Sequence, residues 1–166
     1  MWLPDTTSAG VLLALVLAST APAKVQPGQM APDLAGFNME GELPTLEGRI
    51  VVLDVWASWC APCKASFPAL ADLHRDFAEQ GVVVLGVSVD REQRQYVEFV
   101  RRHAPPFPVV RDATFAFARA FEPAAMPTTY VIDRQGRVRG VHRGFHGQSS
   151  VRQLRLEVTQ LLEEDA

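Results

Sequence analysis

The chain contains two cysteines, Cys60 and Cys63, separated by Ala61 and Pro62. Thiols at this spacing can make and break a disulfide across one helical turn, or supply half of a tetrahedral metal site. Their position in the chain favours the first chemistry. They follow Ile50-Val51-Val52-Leu53-Asp54-Val55-Trp56, a β-branched, nearly continuous apolar run bounded by Gly48 and by Ala57-Ser58. Such a run reads as a strand buried on both faces. After Pro62, the residues Phe67, Leu70, Leu73 and Phe77 recur at helical spacing until Gly81, which predicts an amphipathic helix packed on the sheet. Cys60 then falls in the first turn of a helix, where unpaired N–H groups and the helix dipole stabilise a thiolate and lower its pKa. Cys63, one turn further in, is placed to attack a mixed disulfide formed on Cys60. Cys60 is the expected exposed nucleophile and Cys63 the resolving thiol. Pro62 fits because its missing N–H falls where that group has no intrahelical partner.

The competing chemistries are weaker. A structural bridge across so short a loop removes little chain entropy, at the small end of the ~2–4 kcal/mol range. Two thiolates leave a tetrahedral zinc short of two ligands; His142 and His146 could supply them, but a hairpin and the turn after it are ordinary places for surface histidines. Lys64 follows Cys63 where covalent haem attachment requires His, so a c-type cytochrome is excluded. Asp54 alternates within an apolar strand, so burial is expected, with pairing to Lys64 or another base as the alternative. Trp56 reads as core.

The 166 residues carry 16 Lys+Arg against 19 Asp+Glu, a formal charge of −3, with 48% hydrophobic and 21% charged residues. That composition suits one globular domain and excludes a disordered chain. Without a basic stripe to neutralise phosphates, nucleic acid is not an expected partner. Gly10 to Ala18 is an apolar run of signal-peptide length, and Ala21-Pro22-Ala23 offers an A-x-A cleavage site, so residues 1–23 read as an export signal and 24–166 as the working domain. No Lys or Arg precedes Ala23, which keeps an uncleaved anchor as the alternative. Asp5, Thr6 and Thr7 stop the run short of the roughly 20 apolar residues of a spanning helix.

The remaining elements must position the pair. Pro27 and Pro32 punctuate an N-terminal arm, and Gly36, Gly41 and Gly48 separate short apolar pieces that predict a small hairpin or edge strands. Val82 to Val89 is a second buried strand, and Asp90 with Gln93 suggests a capping box for a helix carrying Tyr96, Val97 and Val100. Strand alternating with helix implies parallel pairing and an α/β fold. A short strand is expected over Phe107 to Val110, a short helix around Phe117 and Phe121, and a hairpin of Thr128 to Ile132 with Val138 to His142. Ser149 or Ser150 caps a last helix whose Val151, Leu154, Val158, Leu161 and Leu162 share a face.

With these residues placed, WASWCAPCK after VVLDV resembles the thioredoxin fold, and the longer context resembles its exported TlpA/ResA branch of thiol–disulfide oxidoreductases. The resemblance runs from Ala31 to Leu162 and includes APDLAGF, a block inserted after the second strand, and Met126-Pro127-Thr128. It implies a central mixed β-sheet flanked by helices, with an N-terminal extension and a central insertion. It also implies a cis Pro127 facing the cysteines, a Met126 backbone that pairs with an extended substrate strand, and a Trp59 that shapes the substrate surface. Asp54 matches the buried acid that thioredoxins place beneath the disulfide, where a carboxyl of raised pKa takes the proton of the resolving thiol. Ser66 stands where these relatives often have Glu. The implied activity is disulfide exchange, in the reductase direction, on exported protein thiols such as those awaiting haem in cytochrome c or copper. An upstream membrane electron donor is implied, with a monomeric protein and no organic or metal cofactor. Two alternatives stand beside it. A peroxiredoxin-like peroxide reductase would carry Pro and Thr shortly before the reactive cysteine, which Ala57-Ser58-Trp59 does not match. A copper- or zinc-handling protein would bind metal through the two thiolates.

Overall fold

Seven consecutive buried residues, Ile50–Trp56, form the central strand β1, as the nearly continuous apolar run predicts. The computed structural model of the protein describes residues 24–164, and the export signal expected at 1–23 lies outside the described residues. Helix α1 (Ala61–Phe77) follows β1, then β2 (Val82–Ser88), α2 (Gln93–His103), β3 (Val109–Arg111), α3 (Ala116–Phe121), β4 (Thr128–Ile132), β5 (Val138–Arg143) and α4 (Gln148–Glu164). The strands are ordered β3-β2-β1-β4-β5. β1 pairs in parallel with β2, and β2 with β3, while β4 runs antiparallel to both β1 and β5. The parallel pairs are those the alternation of strand and helix predicts, and the mixed sheet as a whole is the one the resemblance implies.

The two-residue period of β1 splits the core. Ile50, Val52 and Trp56 face α1, α2 and α4 through Phe67, Leu70, Leu73, Phe99, Leu154 and Val158. Val51, Leu53 and Val55 face the other way, onto Phe117, Phe121 and Tyr130. Burying each such side chain contributes roughly 1.5–3 kcal/mol, so both layers are needed to hold β1 in place. Asp54 has the parity of Val52 and Trp56 and therefore lies on the α1 side. A 3-10 turn at Ala78–Gln80 and Gly81 at φ +90° end the α1 segment and turn the chain into β2.

Four expectations are corrected. Residues 36–49 form no hairpin or edge strand; Asp33 caps a 3-10 turn at Leu34–Gly36, and the arm packs Val25 and Leu34 into the core and pairs with the sheet through isolated bridges, Met30 with Arg137 and Glu40 with Arg111. Gly41, at φ +114°, runs against the backbone of Val109, an approach only glycine permits. Asp90 does not cap α2, whose N-cap is Glu92 without a side-chain bond, because its carboxylate turns inward toward Ser58 and Ser88. The short strand begins at Val109, after Pro108, which has no N–H to give the ladder. Helix α4 begins at Gln148, and Ser150 Oγ instead accepts the His146 amide.

Candidate active site

Cys60 and Cys63 are joined in a disulfide at the point where the segment after β1 enters α1. Cys60 is the N-cap of α1, one residue earlier than the first-turn position expected, and its Sγ accepts the Cys63 N–H at 3.2 Å. Pro62 lies in the first turn, as predicted. Of the pair Cys60 is the more accessible, but only 5% exposed against a fully buried Cys63. The expectation of an exposed nucleophile is corrected to one edge of a covered sulfur. The cover has an identifiable source: both cysteines belong to the core layer of Trp56 and Phe67, and Met126 packs against that layer. Trp59, by contrast, is 64% exposed and edges a groove of about 440 Å³ with Arg91, Gln95 and Phe115.

Asp54 is fully buried, and its Oδ1 accepts the Thr129 hydroxyl at 2.7 Å. Its Oδ2 has no hydrogen-bond partner among the described residues, and the alternative pairing to Lys64 or another base is not formed. Burial pushes the Asp54 carboxyl up to about 7, opposed by the Thr129 hydrogen bond. At neutral pH this carboxyl can both hold and accept a proton. Ser66 is buried and donates to the Cys63 carbonyl at 2.8 Å, so the position where relatives often carry an acid is closed within its own helical turn.

The Met126–Pro127 peptide is cis, as the resemblance implied. The Pro127 carbonyl accepts the Gly144 N–H at 2.7 Å and the Thr128 hydroxyl donates to Ala125 O at 2.7 Å. No hydrogen bond from a described residue reaches the Met126 backbone. His142 faces Glu157 at 2.9 Å, and no group of three or more His, Cys, Asp or Glu side chains among the described residues converges on a point where a metal could sit.

Reading the sequence missed the residues that hold the turn before Cys60. The Ser58 N–H and hydroxyl both donate to the Asp90 carboxylate, as does the Ser88 hydroxyl. The signal was an acid directly after the apolar run of β2, level with the end of β1 in a parallel register.

The model of the AhpC/TSA family matches residues 27–141. The chain belongs to the AhpC/TSA family. Thiol-disulfide oxidoreductase ResA of Bacillus subtilis (strain 168) is 32% identical over 130 residues, spanning 76% of this chain and 73% of that protein. Thioredoxin-like protein YneN of the same organism is 31% identical over 125 residues, spanning 72% and 73%. Among solved structures, a Chlorobium tepidum protein described as thiol:disulfide interchange protein DsbE superposes with a TM-score of 0.77 at 29% identity, over 84% of this chain and 99% of that one. This AhpC/TSA member is therefore a thioredoxin-fold thiol–disulfide oxidoreductase carrying a C-x-x-C disulfide, as the sequence resemblance implied. No helix among its described residues is long and apolar enough to cross a membrane.

Proposed function

We propose that this chain is an exported protein disulfide reductase in which Cys60 is the nucleophile, Cys63 the resolving thiol and Asp54 the proton acceptor. The observation that carries the assignment of roles is the buried Asp54 carboxyl with a free Oδ2 and a pKa of about 7, on the sheet face that α1 covers; the reductase direction rests on the likeness to the exported thiol–disulfide oxidoreductases. A proton acceptor there serves the step in which a Cys63 thiol must become a thiolate.

In the reduced protein the Cys60 thiolate attacks a substrate disulfide. A Cys60–substrate S–S bond forms, the substrate bond breaks, and one substrate sulfur leaves as thiolate. Cys63 passes its proton to Asp54 and attacks the Cys60 sulfur. The Cys60–Cys63 disulfide forms, the second substrate thiolate leaves, and two electrons have moved from the protein dithiol to the substrate. The exposed Trp59 and the unpaired Met126 backbone beside cis Pro127 form the surface on which an extended substrate segment lies. Substrates are exported thiol proteins, including those awaiting haem or copper, and a membrane dithiol donor restores the reduced, monomeric enzyme. Residues 1–23 direct the export.

Two measurements test this. Cys63→Ser should arrest the cycle as a covalent Cys60–substrate adduct, resolved on non-reducing gels and released by a reductant; absence of adducts under mild oxidation removes the assigned roles. The reduction potential of residues 24–166, titrated in thiol buffers, should lie near or below about −220 mV. A value near −120 mV would reverse the direction and make the protein a disulfide donor.

A further inference from the structure

We propose that Asp90 is a positioning residue of the redox site, acting through Ser58 to fix the turn that delivers Cys60 to the N-cap of α1. The inference rests on the reading of Cys60 as nucleophile. Asp90 is fully buried, an expensive place for a carboxylate unless its oxygens are satisfied. Here they are. The Ser58 amide lies 3.1 and 3.0 Å from its two oxygens, the Ser58 hydroxyl 2.9 Å from Oδ1, and the Ser88 hydroxyl 2.8 Å from Oδ2. An apolar side chain would leave the Ser58 amide without a partner, and an amide side chain would present a donor to donors.

The acid is itself held. Its own N–H donates to Ser88 Oγ at 3.1 Å, and the neighbouring Val89 N–H donates to Trp56 O at 2.9 Å, joining the ends of β1 and β2. From behind, the Arg111 guanidinium donates to the carbonyls of Asp90 and Arg91 at 3.1 and 2.9 Å and is gripped by both Glu40 oxygens at 2.9 and 2.8 Å. Beyond Ser58 the chain closes a turn, with Cys60 N–H on Ala57 O at 3.1 Å, and Cys60 Sγ then meets the Cys63 amide. Ser58 is the only residue of this turn whose side chain reaches Asp90, so the sulfur's place on the helix amides is transmitted through it. Charged and titratable groups flank this knot from each packed element: Arg111 of β3 with its partner Glu40, Asp112 in the turn after β3, Arg91 and Glu92 next to Asp90 in the chain, Asp54 in β1, and Lys64, Glu98, Arg102 and His103, which line one pocket with Ser58; none is altered by the substitutions below.

Position and charge act on Cys60 with opposite signs. Fixing the sulfur on the helix amides favours its thiolate, whereas the negative charge of Asp90 opposes it. The test is the pH dependence of Cys60 alkylation by iodoacetamide in the reduced full chain, followed by peptide mass. The wild-type midpoint should fall below the ordinary thiol value of about 8.5. Asp90→Asn should raise it by about one pH unit, the equivalent of a tenfold loss of thiolate preference. Ser58→Ala, which keeps the charge, should raise it by less, and Ser58→Thr should restore it. A downward shift in Asp90→Asn would mean that Asp90 acts only as a charge. Unchanged midpoints in folded but less stable variants would make it a structural residue only. If Asp90→Asn does not fold, Ser58→Ala decides, a raised midpoint supporting the proposal and an unmoved one overturning it. An ordinary midpoint in the wild type would remove the catalytic reading of Cys60 together with this one, whereas a low midpoint unmoved by either substitution removes this one alone.

Discussion

The two faces of the sheet bury aromatic cores of similar construction but treat polar atoms differently. On the α1 face Trp56 packs against Phe67 and Phe99 with centroids at 4.9 and 4.5 Å, and on the other Phe121 packs against Phe117 and Tyr130 at 4.2 and 5.2 Å. The Tyr130 hydroxyl donates to Phe121 O at 3.1 Å. On the α1 side Asp54 Oδ2, Trp56 Nε1 and His74 Nδ1 are buried without hydrogen-bond partners among the described residues. Unpaired buried polar atoms cost stability, so folds concentrate them where chemistry uses them. Here they gather on the face that holds the disulfide, and the opposite face serves as its rigid backing.

Asp54→Asn is the strongest test of that asymmetry. The folded protein keeps the Asp54 proton up to about pH 7, while the unfolded chain releases it near 3.8, the ordinary value for an aspartate. Between these values the folded state binds more protons, so wild-type stability falls as pH rises through the window and levels off above it. The Asn variant, which can still accept the Thr129 hydroxyl, should lack that decline. Its advantage should grow from nothing near pH 4 to on the order of 4 kcal/mol above pH 7, measured by denaturant melts across pH. The same change should slow resolution of the mixed disulfide about a hundredfold at neutral pH. Parallel stability curves for the two proteins would show that the carboxyl is not held protonated by burial, and an unchanged pH–rate profile would take Asp54 out of the mechanism.

The sequence made the central parts of this legible for a physical reason: they are local. The apolar run of β1, the spacing of Phe67, Leu70 and Leu73, and a C-x-x-C between strand and helix each lie within one stretch of chain. Burial of Asp54 followed from alternation alone. What could not be read there depends on partners far away in sequence. Asp90 stands just before its own helix in the sequence, where the local rule makes it a cap; only the parallel register of β1 and β2 brings Ser58 to it across 32 residues. The stretch from Gly36 to Gly48 departs from the expected hairpin for a similar reason. Gly41 bends against β3 and the Gly48 carbonyl accepts from Arg134 in the β4–β5 turn, and those contacts are visible only once the sheet exists.

A second test perturbs the α1 face sterically. Gly86 is opposite Asp54 in the β1–β2 register, and a methyl added there would lie 2.9 Å from Trp56 Nε1 and 3.0 Å from Val109 Cγ1. Trp56 is fully buried and cannot swing clear, so Gly86→Ala should destabilise by about 1–3 kcal/mol. Tryptophan fluorescence should change with it, since the ring that must shift precedes Cys60 by only four residues. A neutral effect would show slack around Trp56 and weaken the picture of a tightly fitted redox face.

The smallest effect is expected on the backing face, and its pH behaviour matters more than its size. Tyr130→Phe removes the hydroxyl and leaves the Phe121 carbonyl without that donor, which should cost about 1 kcal/mol. Burial pushes the Tyr130 hydroxyl up to about 12, with Arg143 pulling it back, so it remains a protonated donor throughout the range in which Asp54 titrates. The loss should therefore be constant from pH 4 to pH 9, in contrast to the pH-dependent gain of Asp54→Asn. The double variant should show the two effects adding, because Tyr130 and Asp54 project from opposite faces and share no hydrogen-bond partner. A pH-dependent Tyr130→Phe effect, or strong coupling between the two changes, would mean that the faces communicate through the sheet and that the backing is not inert.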